Sequence, residues 1–214
     1  MSTVVPEPRP SLKPVVTLFE SYGAGASTIG PRLARALGVP FHQQAFSSEQ
    51  LEDAEAQREK ESVISRVFSA MGGTSYGGVD VGDVTAGQRD KYDLVMENNR
   101  IVQEEARAGG VILGRNATVI LVDRPSTLHI KLDAPLRQRI ARAAEAAAID
   151  IARAAKRQKR EDQFRADLSI EFYGWDPRED DRYDLILNTG HLDTDTCVEI
   201  ILAASTIKNG MSVG

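Results

Sequence analysis

A single cysteine, Cys197, in 214 residues rules out an internal disulfide and any metal site built on a cysteine cluster. Histidine is almost as scarce: His42, His129 and His191 are scattered, with no ligand spacing between any pair. Long apolar runs are missing, and none approaches the roughly 18 to 20 residues that a bilayer-spanning helix needs. Positive charge is in deficit, with 26 Lys and Arg against 31 Asp and Glu, a formal charge of −5. That sign argues against a general nucleic-acid binder, although a local basic patch is compatible with it. The first 13 residues, MSTVVPEPRPSLK, lack the apolar stretch of a signal peptide and are rich in proline. They are expected to form a disordered tail on a cytoplasmic chain.

The rest reads as one globular domain, expected over residues 14–209, with 42% apolar and 27% charged residues overall. Short apolar runs suit strands of a parallel sheet covered on both faces: PVVTLF from Pro14, Val39 to His42, VIL from Val111, TLHIKLD from Thr127 and LIL from Leu185. Helical periodicity falls between them. It runs from Ile29 to Leu37, from Tyr92 to Ala106, after Pro135, and from Val198 to Ser205 behind the cap candidates Asp193 and Thr194. Alternating strands and helices predict a three-layer α/β fold with a central five-stranded parallel sheet. Two stretches interrupt the rhythm, 46–90 and 150–182, and both read as insertions of the kind that serve as lids.

ESYGAGASTIG, Glu20 to Gly30, sits between the first strand and the first helix. Its glycines and hydroxyls meet the backbone demands of a phosphate-binding loop, in which N–H groups and a helix N-terminus face the anion. Against the pattern G-x-x-x-x-G-K-[ST], Glu20 takes the first glycine's place, Ala26 the lysine's and Ser27 the hydroxyl's, with Thr28 next. A tight turn capped by Ser27 or Thr28 is the alternative. A dinucleotide-binding loop fits less well, because His42-Gln43-Gln44 lacks the acid that would bind a ribose.

With YGAGASTIG come LARALGVPF, VILGRNA, HIKLDAPLRQRIAR, the pair Asp162 and Arg165, and YDLILNT, in that order. Together they resemble the cytidylate kinase-like family of P-loop nucleoside monophosphate kinases over roughly Val15 to Thr206. The resemblance implies a P-loop NTPase fold, with an acceptor-side insertion at 46–90 and a lid at 150–182. It implies ATP-dependent phosphoryl transfer to a nucleoside monophosphate, CMP by preference, with Mg²⁺. Tyr22, Gly23, Ala24, Gly25, Ala26, Ser27 and Thr28 would bind the donor nucleotide, with Ser27 towards the metal. Arg115 would bind the acceptor, while Arg139, Arg142, Asp162 and Arg165 would serve catalysis. The partners implied are small nucleotides; separately, the Tyr92 to Ala106 helix and the acidic stretch SSEQLEDAEAQREKE are candidate faces for a homodimer.

Charge distribution agrees independently. Nine basic residues stand against four acidic ones between Arg137 and Arg165, in a chain that is acidic overall. Arginine suits phosphate oxygens because it is always charged and binds them bidentately. A solvated helix face explains Lys156 and Arg157, and a packing anchor explains Trp175, better than ligand contacts do. Three departures from the family pattern stand out: Ala26-Ser27 carries no cation, Phe41-His42-Gln43 lacks an acid, and Asn116 follows Gly114-Arg115 where Asp is usual. Loss of a cation beside the transferring phosphate costs roughly 3 to 4 kcal/mol of transition-state stabilisation. The alternative function is therefore a non-catalytic nucleotide-binding or regulatory protein on the same fold.

Overall fold

The computed structural model describes residues 13–44 and 84–210, with 84–91 described by backbone alone. The expected tail and most of the stretch 46–90 lie outside the described residues. Five strands, β1 (Val15–Glu20), β2 (Phe41–His42), β3 (Gly110–Leu113), β4 (Thr127–Asp133) and β5 (Leu185–Asn188), form one sheet in the order β2-β3-β1-β4-β5. Every pairing is parallel, as the continuous apolar runs required. The helices are α1 (Ala26–Leu37), α2 (Val84–Ala108), the short α3 (Ala117–Ile120), α4 (Leu136–Ala147), α5 (Ile151–Tyr173) and α6 (Thr194–Lys208).

Strand β1 lies in the middle because its alternate residues serve two cores. Val16 and Leu18 pack with Ile29 and Leu33 of α1 and with Cys197 and Ile201 of α6. Val15 on the other face packs with Ile112, with Val102 and Ala106 of α2, and with Ala117 and Leu121. Full burial of each such aliphatic side chain contributes roughly 1.5–3 kcal/mol. One polar cluster interrupts the second face, where Thr17 Oγ1 lies 2.8 Å from His129 Nδ1 and 3.2 Å from Thr118 Oγ1.

Helix α6 starts at Asp193, whose carboxylate accepts from the Thr196 N–H at 2.8 Å, choosing between the two cap candidates. The polar stretch 150–182 is one 23-residue helix, α5, followed by a turn-rich strap. Asp150 caps α5 by accepting from the Arg153 N–H at 2.8 Å. Ala154, Phe164 and Ala166 are buried, so the helix packs inward despite its polarity. Lys156 is exposed as expected, whereas Arg157 is 3% exposed and does not lie on a solvated face. A narrow inward stripe on a mostly charged helix leaves too weak a periodicity to separate those two neighbours.

The strap is fastened to the sheet. Lys131 on β4 reaches Asp180 at 2.7 Å and the Arg178 carbonyl at 2.6 Å. Trp175 donates to Asp181 at 3.2 Å and packs on Tyr183 with ring centroids 5.6 Å apart, the anchoring role its composition suggested. No described helix is long and apolar enough to cross a membrane.

Candidate active site

The chain leaves β1 at the carboxyl edge of the sheet, where β3 and β4 flank β1 and the connections diverge, the place open α/β sheets keep for ligands. Gly23 and Gly25 take left-handed φ values of 83° and 98°. A Cβ at Gly23 would collide with the Arg139 carbonyl, so glycine is required there by space as well as by torsion. Helix α1 then begins, with Ser27 and Thr28 exposed in its first turn. Neither hydroxyl caps it. Glu20 does so from six residues back, its Oε2 accepting from the Ala26 N–H at 2.8 Å. Burial pushes the Glu20 carboxyl up from its ordinary range, opposed by nearby Arg165 and by the Ala26 and Gly25 N–H groups.

Two arginines hold the loop through its carbonyls. Arg139 donates through Nη1 to the Tyr22 carbonyl at 3.2 Å and to Asp162 Oδ2 at 2.8 Å. Arg142 donates through Nη1 to the Gly23 carbonyl at 2.9 Å and through Nη2 to the Thr189 carbonyl at 2.9 Å. Thr189 Oγ1 donates to the Ala24 carbonyl at 2.7 Å. Three successive carbonyls are thereby held, and in a trans peptide the following N–H points the opposite way. The Gly23 and Gly25 N–H groups accordingly turn from the arginines. Asp162 completes the frame by accepting from the Tyr22 N–H at 2.7 Å.

Arg165 stands apart from this frame. Its guanidinium lies 5.7 Å from the Tyr22 ring centroid, 3.2 Å from Gln44 Oε1, 3.3 Å from Glu161 Oε2 and a long 3.5 Å from the Glu20 carbonyl. It also lines a pocket beside the loop. The rings of Phe19, Phe172 and Tyr173, with Leu94, Val95 and Leu168, form the apolar wall of that pocket, and Asn98 and Arg115 form its polar part. Gly114, Arg115 and Asn116 are three consecutive left-handed residues, with φ of 69°, 56° and 54°. Two of them carry side chains, a strain of roughly 1 kcal/mol or more each. Asn98 braces this turn, donating through Nδ2 to the Arg115 carbonyl at 2.9 Å and to the Tyr173 hydroxyl at 2.8 Å. Because a carbonyl only accepts, the Asn98 amide nitrogen must face Arg115, and its carbonyl oxygen is left as acceptor.

The residues singled out in the sequence fall into two groups. Tyr22 to Thr28, Arg139, Arg142, Asp162 and Arg165 meet at the loop, while Arg115 lies in the pocket and Arg165 belongs to both. Arg32 on α1 pairs with Asp195 at 2.7 Å on the surface. Glu20 and Asn98 were missed. An acid in place of the first loop glycine was a visible signal for Glu20, whereas Asn98 carries no motif. Among the described residues no cluster of three His, Cys, Asp or Glu is set to hold a metal ion. A Mg²⁺ brought by a nucleotide needs only one or two protein oxygens. Donors of that kind are present in the exposed Ser27 hydroxyl and in the half-exposed carboxylate of Asp133 at the end of β4, whose Oδ1 lies 3.4 Å from Arg139 Nε.

The chain is similar to several known proteins. Residues 15–191 match the family model described as the cytidylate kinase-like family. A cytidylate kinase of Methanopyrus kandleri is 29% identical over 203 residues, covering 91% of this chain and 94% of that protein. A uronate isomerase of Corynebacterium glutamicum is 34% identical over 120 residues, 56% of this chain; the match spans only 23% of the isomerase. Among solved structures, an uncharacterised protein from Eubacterium ventriosum has a TM-score of 0.64 at 18% identity, over 90% of this chain and 98% of its own. That last likeness speaks for the fold alone. The family relationship points to a nucleotide kinase, and the chain belongs to the cytidylate kinase-like family.

Proposed function

We propose that this protein transfers the γ-phosphoryl group of ATP to a nucleoside monophosphate, with CMP the acceptor its pocket suits best. The observation that carries this reading is Arg165, which contacts the loop and lines the adjoining pocket. One cation is thus shared between a donor-phosphate cradle and an acceptor site, where an in-line transfer accumulates charge. In this reading the N–H groups of Gly23, Gly25 and Ser27 hold the donor phosphates, those of Ala24 and Thr28 being taken by the Ser21 and Gly25 carbonyls, and Arg139 and Arg142 fix the loop's carbonyls behind them. Arg115 faces the acceptor phosphate; its Nε is held by the Gln43 carbonyl at 3.1 Å, which orients the guanidinium. When bound, Mg²⁺ neutralises the donor phosphates, with Ser27 and Asp133 as the oxygens available to it.

The apolar, ring-lined pocket suits a planar base. A sugar acid, the substrate class in the isomerase's name, would leave that lining unmatched. Asn98 favours an amino-bearing base, since its side-chain carbonyl oxygen, which no described residue engages, is an acceptor for the cytosine amino group and has nothing to offer uracil O4. Incubation with ATP, Mg²⁺ and a panel of monophosphates tests the proposal. ADP release should be fastest with CMP, and no release with any monophosphate at high enzyme concentration would end it.

A second reading, nucleotide binding without catalysis, is favoured by the missing cation at Ala26-Ser27. It predicts thermal stabilisation by nucleotides without phosphoryl transfer, and unchanged melting with every nucleotide would count against it.

A further inference from the structure

Glu20 engages a helix N-terminal N–H of the kind that binds phosphate, its Oε2 accepting from the Ala26 N–H at 2.8 Å. Ala26, the residue its carboxylate engages, takes the lysine's place in the loop pattern, and its N–H belongs to the first turn of α1. Helix N-terminal donors bind anions whatever their source, and here the chain supplies its own. Gly25 at the cap position has no side chain with which to accept from the first-turn N–H groups. The surrounding charges are balanced against each other. Arg165 favours the carboxylate, whereas burial and the neighbouring Asp162 disfavour it. Its anionic form is held there first by Arg165 and then by the Ala26 and Gly25 N–H groups, which a nucleotide also needs.

We propose that Glu20 is an internal competitor of nucleotide phosphate, so that donor binding requires its carboxylate to leave the Ala26 N–H. This rests on the phosphate-loop reading given above and adds to it an affinity-setting residue. The competition has two linked consequences. In the ligand-free protein Glu20 stabilises the start of α1. In the bound protein it is displaced, and the lost cap weakens the apparent affinity for phosphate. Glu20→Ala should accordingly move stability and affinity in opposite directions, which a purely structural cap would not do.

Calorimetric titration of inorganic pyrophosphate and of ADP into the wild type, Glu20→Ala and Glu20→Gln tests this. Glu20→Ala should bind pyrophosphate about tenfold or more tightly while its ligand-free melting temperature falls. Glu20→Gln keeps an acceptor for the Ala26 N–H but no charge, and should lie between the two. Equal or weaker binding by Glu20→Ala overturns the competition and leaves the phosphate loop standing. Binding of neither probe by any of the three proteins overturns both. Should Glu20→Ala fail to fold, Glu20→Gln decides by the same comparison with wild type.

Discussion

At the scale of residues, the arginines divide by what they already hold. Arg139 and Arg142 are engaged with loop carbonyls, Asp162 and Thr189. Arg165 makes longer contacts at 3.2 to 3.5 Å, of the kind a stronger anion can replace. Arg165→Ala should therefore lower kcat by about a hundredfold or more while changing ATP affinity little. Steady-state kinetics check this, and an unaffected kcat would remove Arg165 from the chemistry. Gly23→Ala tests the loop itself. A side chain there meets both a φ of 83° and the Arg139 carbonyl, so unfolding in denaturant should show a loss of roughly 1–3 kcal/mol or more.

Elements matter through the way α5 is tied to the loop. Asp162 accepts from the Tyr22 N–H at 2.7 Å, from Arg139 at 2.8 Å and from Gln158 Nε2 at 2.6 Å. Asp162→Ala removes the acceptor of the Tyr22 N–H and one partner each of Arg139 and Gln158, so it should cost roughly 1–3 kcal/mol and speed hydrogen exchange at the Tyr22 amide. Unaltered exchange at Tyr22 would mean that α5 does not hold the loop. The strands and the apolar-striped helices were legible in the sequence, because periods of 2 and 3.6 leave a direct trace when one face is buried. Helix α5 was visible only as a polar stretch. Its inward face includes Arg157, Glu161 and Ser169, types that ordinarily signal exposure. The loop was legible from its glycines, and Arg165 from its place in a motif. Asn98 was not, since its role depends on α2, the Arg115 turn and the end of α5 meeting in space. Glu20 was visible as a departure, but its carboxylate's return to α1 follows from the loop's shape.

For the whole molecule, His129 links the fold to pH. Burial is the main cause that pushes its imidazole down to about 4, with Lys208 adding to that and Asp184 opposing it. A folded value below the unfolded one means the unfolded chain takes the proton first. Stability should fall as pH drops from about 6.5 towards 4, by an amount on the order of 3 kcal/mol for this group alone. His129→Gln should flatten that part of the profile, and equal slopes in denaturant unfolding would refute the assignment. The proposed activity of the assembled molecule is transfer of a phosphoryl group from ATP to CMP. Its most direct test is a single-turnover reaction of γ-labelled ATP, Mg²⁺ and CMP with the wild-type protein in excess. Label should appear in CDP with the wild type and be nearly lost with Arg165→Ala. Label retained in ATP, or released only as inorganic phosphate, would contradict it.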